Sequence, residues 1–237
     1  MVANSHAGKA FNIRTLGLSA SRIEVVHNGV DTERFYPDPE AGLAFRRKLG
    51  IPPHSPVVGM VGSFKRQKGQ DCFVRMAARV AQSLPETSFL IVGEPMRDDA
   101  EDGDRYAAEV KQLATALNLA DRCHFLGNQK DVRAVYNACD MTALLSRREG
   151  IPNVILESMA CGIPVVASDI ADNRLIILDG ITGHVVPVDA PEAAAMRARS
   201  ILGAPGERSR LGKAARRRIC ERFSLPVAAG KLQAVYE

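Results

Sequence analysis

Short apolar runs alternate with longer amphipathic stretches along most of the chain. The runs Val57–Val61, Ser88–Val92, Met141–Leu145 and Ile163–Ala167 are bounded by glycine, proline or polar residues. Runs of this length and continuity fit strands buried on both faces of a parallel sheet. Between them, Asp71–Leu84, Asp104–Leu117, Val132–Ala138 and Asn153–Ala160 combine good helix formers with apolar positions three and four apart, so helices are predicted there. Alternation of this kind predicts an α/β fold, a Rossmann-like parallel sheet with helices on both faces.

Other segments frame that core. Asn4–Gly17 predicts a helix and Ile23–His27 a strand, which ends in the turn residues Asn28-Gly29. Together they read as the end of a preceding domain without its beginning. Asp38–Pro56 is a Pro-rich segment around one short helix, a linker into the sheet. From Ala190 onward the pattern is helical apart from a break at Gly203–Gly206.

Composition narrows the class only a little. The length of 237 residues suits one large domain, or one domain plus an extra piece. A formal charge of +4 is too mild to argue for nucleic acid, although it suits an anionic ligand. The five cysteines are odd in number and form no CxxC, which reads as reduced thiols in a cytosolic protein. The five histidines are scattered without an HxxxH or a Cys/His ligand pair, so a structural zinc site is not expected. No apolar run reaches the ~18 residues of a bilayer span, and the first residues lack a signal-peptide pattern. Peripheral membrane contact stays open.

The stretch from Glu149 to Asp169, EGIPNVILESMACGIPVVASD, carries the chemistry. Pro152 suits the first position of a helix, where its missing N–H costs nothing. Gly162 suits the helix end. A helix starting beside Gly150 presents backbone donors and its positive dipole end to a phosphate group. Glu149 precedes this helix and Glu157 lies inside it. A diphosphate at the helix start would have sugars on both sides. One carboxylate could then accept the ribose diol, and the other hydroxyls of a second sugar. Glutamates near helix starts also occur for the dipole alone, so neither residue is decisive singly.

Glu149-x7-Glu157 followed by MACGIPVVAS resembles the signature of the family 4 glycosyltransferases, which have the GT-B fold. Further segments are similar in the family's order: VHNGVD at Val26–Asp31, VGSFKRQKG at Val61–Gly69, LIVGE at Leu90–Glu94, HFLG at His124–Gly127 and GITG at Gly180–Gly183. The resemblance covers nearly the whole chain and implies its C-terminal, donor-binding domain. It places Glu149 near the donor sugar and Glu157 at the nucleotide ribose. It makes Lys68 the cation that neutralises the leaving diphosphate. Gly150, Ile151, Asn153 and Val154 would contact phosphate and sugar, and Leu126 the base. Many members carry an arginine where this chain has Ser63. Lys65 or Arg66 is then the candidate for a second positive charge.

The resemblance further implies a retaining, hexosyltransferase-like enzyme that needs no metal and no cofactor. Its substrate would be a nucleotide-sugar, with UDP-, GDP- and ADP-sugars not distinguished. The acceptor would be an unidentified glycan or lipid-linked glycan, in polysaccharide or glycolipid biosynthesis. The expected setting is cytoplasmic, with contact to the inner face of a membrane left open. The implied organisation is 1–37 as the tail of an N-terminal domain with the interdomain segment, 38–222 as the nucleotide-sugar-binding domain, and 223–237 as a helix crossing back. With most of the acceptor domain missing, the chain alone is expected to bind nucleotide weakly and transfer little. A GT-B nucleotide-sugar epimerase and a non-catalytic nucleotide-binding module remain as alternatives. Nine basic residues between Arg197 and Arg222 read either as an anionic-surface contact or as solvated helix faces.

Overall fold

The computed structural model describes residues 1–95 and 100–237. Six strands form one parallel sheet: β3 (Val57–Val61), β4 (Ser88–Val92), β5 (Cys123–Phe125), β6 (Met141–Leu144), β7 (Val165–Ser168) and β8 (Gly183–Val186), in the spatial order β5-β4-β3-β6-β7-β8. Alternate residues of each strand enter different cores. Val58 and Met60 of β3, with Phe89 and Ile91 of β4, face one cluster; Val57, Leu90 and Val92 face another. Burial on both faces is why these strands read as unbroken apolar runs rather than alternating ones.

Helices α3 (Gln70–Ser83), α4 (Ala100–Ala116) and α8 (Pro191–Leu202) cover the first face. Helices α2 (Pro39–Lys48), α5 (Val132–Ala138), α6 (Asn153–Ala160) and α9 (Pro205–Arg222) cover the other, with the short α7 (Asn173–Ile176) after β7. The predicted α/β class and the helices over both faces are therefore observed. Two strands were harder to read. β8 begins at the end of the family-like GITG segment and is not among the apolar runs, because it is four residues long and holds Gly183 and His184. β5 is three residues long and is visible only through the family-like HFLG segment.

The amino-terminal part is a separate arrangement. β1 (Val2–Ala3) pairs in parallel with β2 (Glu24–Val25), with α1 (His6–Leu16) between them. Ser5 caps α1 by accepting from the Gly8 N–H at 2.9 Å. The predicted strand Ile23–His27 shrinks to two residues, since it has only β1 as a partner. Val30 then runs beside the start of α10 (Leu225–Tyr236): its N–H donates to the Phe223 carbonyl at 2.8 Å, and its carbonyl accepts from Leu225 at 3.0 Å.

Candidate functional site

Strand order reverses between β3 and β6. In open α/β sheets the carboxyl ends of strands at such a reversal form the ligand crevice. The segments leaving those ends here are Gly62–Gly69 and Leu145–Pro152, the two that hold the predicted Lys68 and Glu149.

Gly69 brings them together. Its φ is 73°, and a Cβ there would overlap the Leu145 carbonyl. Only glycine accepts both the left-handed backbone and that close approach. Lys68 Nζ consequently donates to both Glu149 oxygens, at 2.7 and 3.0 Å. The buried Ser146 hydroxyl donates to Glu149 Oε1 at 2.8 Å. The Glu149 side chain is 9% exposed and that of Lys68 21%. Partial burial makes this pair electrostatically stronger than a surface pair, and makes each charge dependent on the other or on a ligand.

Arg147 fastens the same two segments. Its N–H donates to the Gln67 carbonyl at 2.7 Å and its guanidinium to the Arg66 carbonyl at 2.7 Å. The guanidinium also grips Asp71 with two bonds, at 2.9 and 2.7 Å, and reaches Asp189. Tyr106 donates its hydroxyl to Asp71 Oδ1 at 2.6 Å. Burial pushes the Asp71 carboxyl up, but the bonds from Arg147 and Tyr106 outweigh it and hold it below the usual carboxylate range.

The structure places Pro152 just before α6, at φ −80° and ψ 104°, rather than as its first residue. Its extended ψ stops it joining the helical turn. It supplies no side-chain cap; its carbonyl accepts from the Ile155 N–H at 3.1 Å, and no side chain caps the N–H groups of Asn153 and Val154. Gly150 lies beside the Asn4 and Ser5 side chains in an open cleft of about 760 Å³, whose lining also includes Gln67, Arg148, Glu149 and Gly8. Glu157, inside α6, accepts from the Tyr136 hydroxyl at 2.7 Å.

The other predicted residues lie apart from the cleft lining. Ile151 is buried in the core under α6, and Val154 packs against the same core. Asn153 is exposed and its side chain accepts from Asn28 at 2.8 Å. The Ser63 carbonyl accepts from Gln70 at 2.9 Å, and the Lys65 carbonyl from the Lys68 N–H at 2.8 Å. Leu126 follows the edge strand β5, and its carbonyl accepts from Gln129 at 2.6 Å. Arg66, one candidate for a second positive charge, lies outside the cleft lining. Its guanidinium is committed to Glu109 at 2.9 Å and stacks over the Tyr106 ring at 5.1 Å. Sequence reasoning missed Arg148, which lines the cleft; its only signal is a basic pair directly before Glu149.

Folding also gathers residues that no spacing rule would join. Asp172, 3% exposed, accepts through Oδ2 from the His6 N–H at 2.8 Å, with His6 Nδ1 at 3.0 Å and His27 Nε2 at 2.9 Å from the same oxygen. Among the described residues this is the group of metal-ligand type whose donor atoms lie within 4.8 Å of one another. Its contacts are mutual hydrogen bonds that tie α1 and the end of β2 to the loop after β7. Burial pushes the Asp172 carboxyl up, but the bonds from His6 and His27 outweigh it and hold it below the usual range.

Several carboxy-terminal arginines prove structural. Arg216 donates to the Phe35, Ala160 and Thr32 carbonyls, and Arg218 to those of Ile176 and Leu175. Arg208 pairs with Asp140, and Arg210 with Glu207. They brace α9 rather than form one solvated stripe. Among the described residues no helix is long and apolar enough to cross a membrane.

Comparison with known proteins places this site in context. The sequence profile described as "Glycosyl transferases group 1" matches residues 43–218. The D-inositol 3-phosphate glycosyltransferase of Mycobacterium sp. (strain JLS) is 37% identical over 168 residues, covering 70% of this chain and 36% of that protein. Its counterpart in Salinispora arenicola (strain CNS-205) is 32% identical over 246 residues, covering 100% of this chain and 54% of that protein. The chain thus spans about half the length of the curated relatives it matches, or less. Anabaena Alr3699/HepE, solved in complex with UDP and glucose, superposes with a TM-score of 0.89 at 25% identity, over 99% of this chain and 62% of that one.

Proposed function

The chain belongs to the glycosyl transferases group 1 family, and from that premise we propose that it is the donor-binding part of a retaining, metal-independent glycosyltransferase. The observation that carries this reading is the Lys68–Glu149 pair, set at the strand-order reversal beside the uncapped start of α6. A diphosphate at that helix start meets backbone donors and the positive dipole end. Lys68, on a flexible stem, leaves Glu149 for the diphosphate and neutralises charge as the leaving group departs. Glu149 keeps its Ser146 bond and turns its released oxygen to donor-sugar hydroxyls. Glu157 takes the ribose diol. Backbone around Gly150, Ile151, Asn153 and Val154 contacts phosphate and sugar, and Leu126 borders the base. Lys65 remains the candidate for a second positive charge, and Arg148 adds a further cation on the cleft wall.

Residues 1–37 and 223–237 belong to the junction with an N-terminal acceptor domain in this reading, and 38–222 form the donor domain. The solved HepE complexes make UDP-sugars the first donor class to test. A transferase is favoured over an epimerase because the curated relatives are named as transferases. Calorimetry with UDP-, GDP- and ADP-sugars is the decisive experiment. One of them should bind, and Lys68→Ala should weaken its nucleoside diphosphate by at least about tenfold, as expected on losing a charge-assisted contact. Absence of binding by all three removes the proposal.

A further inference from the structure

Tyr136 stands on α5, across from the inner side of α6, and is the largest fully buried side chain. A buried phenol needs a partner for its hydroxyl, since an unmatched one carries a desolvation penalty. Here the hydroxyl donates to Glu157 Oε2 at 2.7 Å. Burial, with the Glu157 charge adding to it, pushes the phenol's ionisation well above its ordinary range, so it stays a donor at every working pH. The ring is held from the side by Phe35, edge-on with centroids 6.2 Å apart at 65°. Phe35 is buried in the same cluster as Leu156 and Met159 of α6. The donor is therefore fixed on three sides: by its own helix, by the interdomain segment through Phe35, and by the α6 core.

Glu157 differs from Glu149 in what holds it. The half-buried Lys68 and the buried Ser146, both polar, hold Glu149. Glu157 is only half-buried, yet its one recorded side-chain partner is a rigid phenol from the interior. A glutamate has three rotatable bonds, and an unheld carboxylate loses that freedom whenever a ligand fixes it. Two neighbouring hydroxyls can be accepted side by side only by a carboxylate whose plane is already set.

We infer that Tyr136 is a positioning residue for nucleotide recognition. It anchors Oε2 of Glu157 from inside the core and so presets the carboxylate plane for a vicinal diol. This rests on the reading of Glu157 as the ribose ligand. Tyr136 touches no substrate; it acts through Glu157. A second consequence follows from Phe35, which lies in the segment joining the amino-terminal part to the sheet. The orientation of the diol ligand is thereby coupled to the packing of that segment.

The test compares UDP with 2′,3′-dideoxy-UDP on the full chain by calorimetry. In the wild type, loss of the diol should weaken binding by about tenfold or more, the size expected for hydrogen bonds to a charged group. Tyr136→Phe keeps the ring and removes only the hydroxyl. It should lower UDP affinity several-fold, leave the dideoxy nucleotide unchanged, and so shrink the ratio between the two. A merely structural role would weaken both nucleotides alike, and that result overturns the inference. Tyr136→Leu serves as the second variant if Tyr136→Phe does not fold, with the same ratio as readout. Glu157→Gln separates the two levels. If it leaves the ratio intact, the ribose reading itself fails. If it abolishes the ratio while Tyr136→Phe preserves it in full, only the positioning role fails. No binding of UDP, GDP or ADP to the wild type removes both.

Discussion

The six-stranded sheet and the amino-terminal pair β1–β2 contain the same kinds of element, yet they are held in opposite ways. In the sheet, strands are apolar on both faces and helices seal them; Phe73 of α3 and Phe89 of β4 meet edge to face, fully buried. In the amino-terminal part, α1, and α10 which packs beside Gly29 and Val30, bury no residue completely. Phe11, Leu16, Leu225 and Leu232 are exposed, at 43%, 57%, 48% and 39%. Val30 is buried in the apolar cluster with Ile155 and Val165, and the other links of this part to the sheet are polar: the convergence of His6 and His27 on Asp172, the Asn28–Asn153 bond, and the backbone pairing of Val30 with Phe223 and Leu225. Apolar burial is cooperative and non-directional, whereas a few hydrogen bonds are directional and individually small. This contrast predicts that the seam opens or adjusts at a lower free energy than the sheet. The candidate cleft lies between the two, with Glu149 and Gly150 on the stable wall and Asn4 and Gly8 on the adjustable one.

The largest effect should come from breaking the sheet core. Phe73→Ala should cost about 3–5 kcal/mol in denaturant unfolding, while Leu16→Ala should stay within about 0.5 kcal/mol. Similar costs for both would erase the contrast. Removing the seam's anchor comes next. Asp172→Ala should cost about 1 kcal/mol, since the donors left unmatched are only partly buried and His6 can turn to water. Hydrogen exchange should show the loss confined to α1 and the end of β2; equal deprotection of β3 and β6 would mean one cooperative unit.

Acid sharpens the same comparison. Asp172 and Asp71 both ionise below the usual carboxylate range when folded. Each therefore binds fewer protons folded than unfolded, and its contribution is complete above the unfolded value of about 4. As pH falls through the folded values that contribution is lost. Melting temperature should drop on acidification below about pH 4, and Asp172→Asn should flatten part of that drop. A wild-type profile flat to pH 2 would contradict both assignments. The smallest effect is expected at Arg66, whose partner Glu109 is exposed and away from the cleft lining. Arg66→Gln should leave nucleotide affinity unchanged, whereas Arg148→Gln should weaken it.

The central strands and helices were legible because their signals are local. Val132–Ala138 and Asn153–Ala160 coincide with α5 and α6, since periodicity and end signals (the Asp131 cap for α5, Pro152 and Gly162 around α6) act within one turn. The Glu149–Glu157 spacing across one helix start, and Lys68 just before Gly69, were equally local. Ile23–His27 was over-read because strand length depends on the partner strand, and β1 offers only two residues.

The amino-acid order by itself determined the α/β class, the elements around the cleft and the residue types beside it. Only the tertiary structure decided which groups hold them. Lys68 meets Glu149 across 81 positions, Asp172 meets His27 across 145 and His6 across 166, and Tyr136 meets Glu157 from the neighbouring helix. Such pairings leave no periodic trace. They depend on strand order and on glycine-permitted approaches such as Gly69 against Leu145, which exist only once the sheet is assembled.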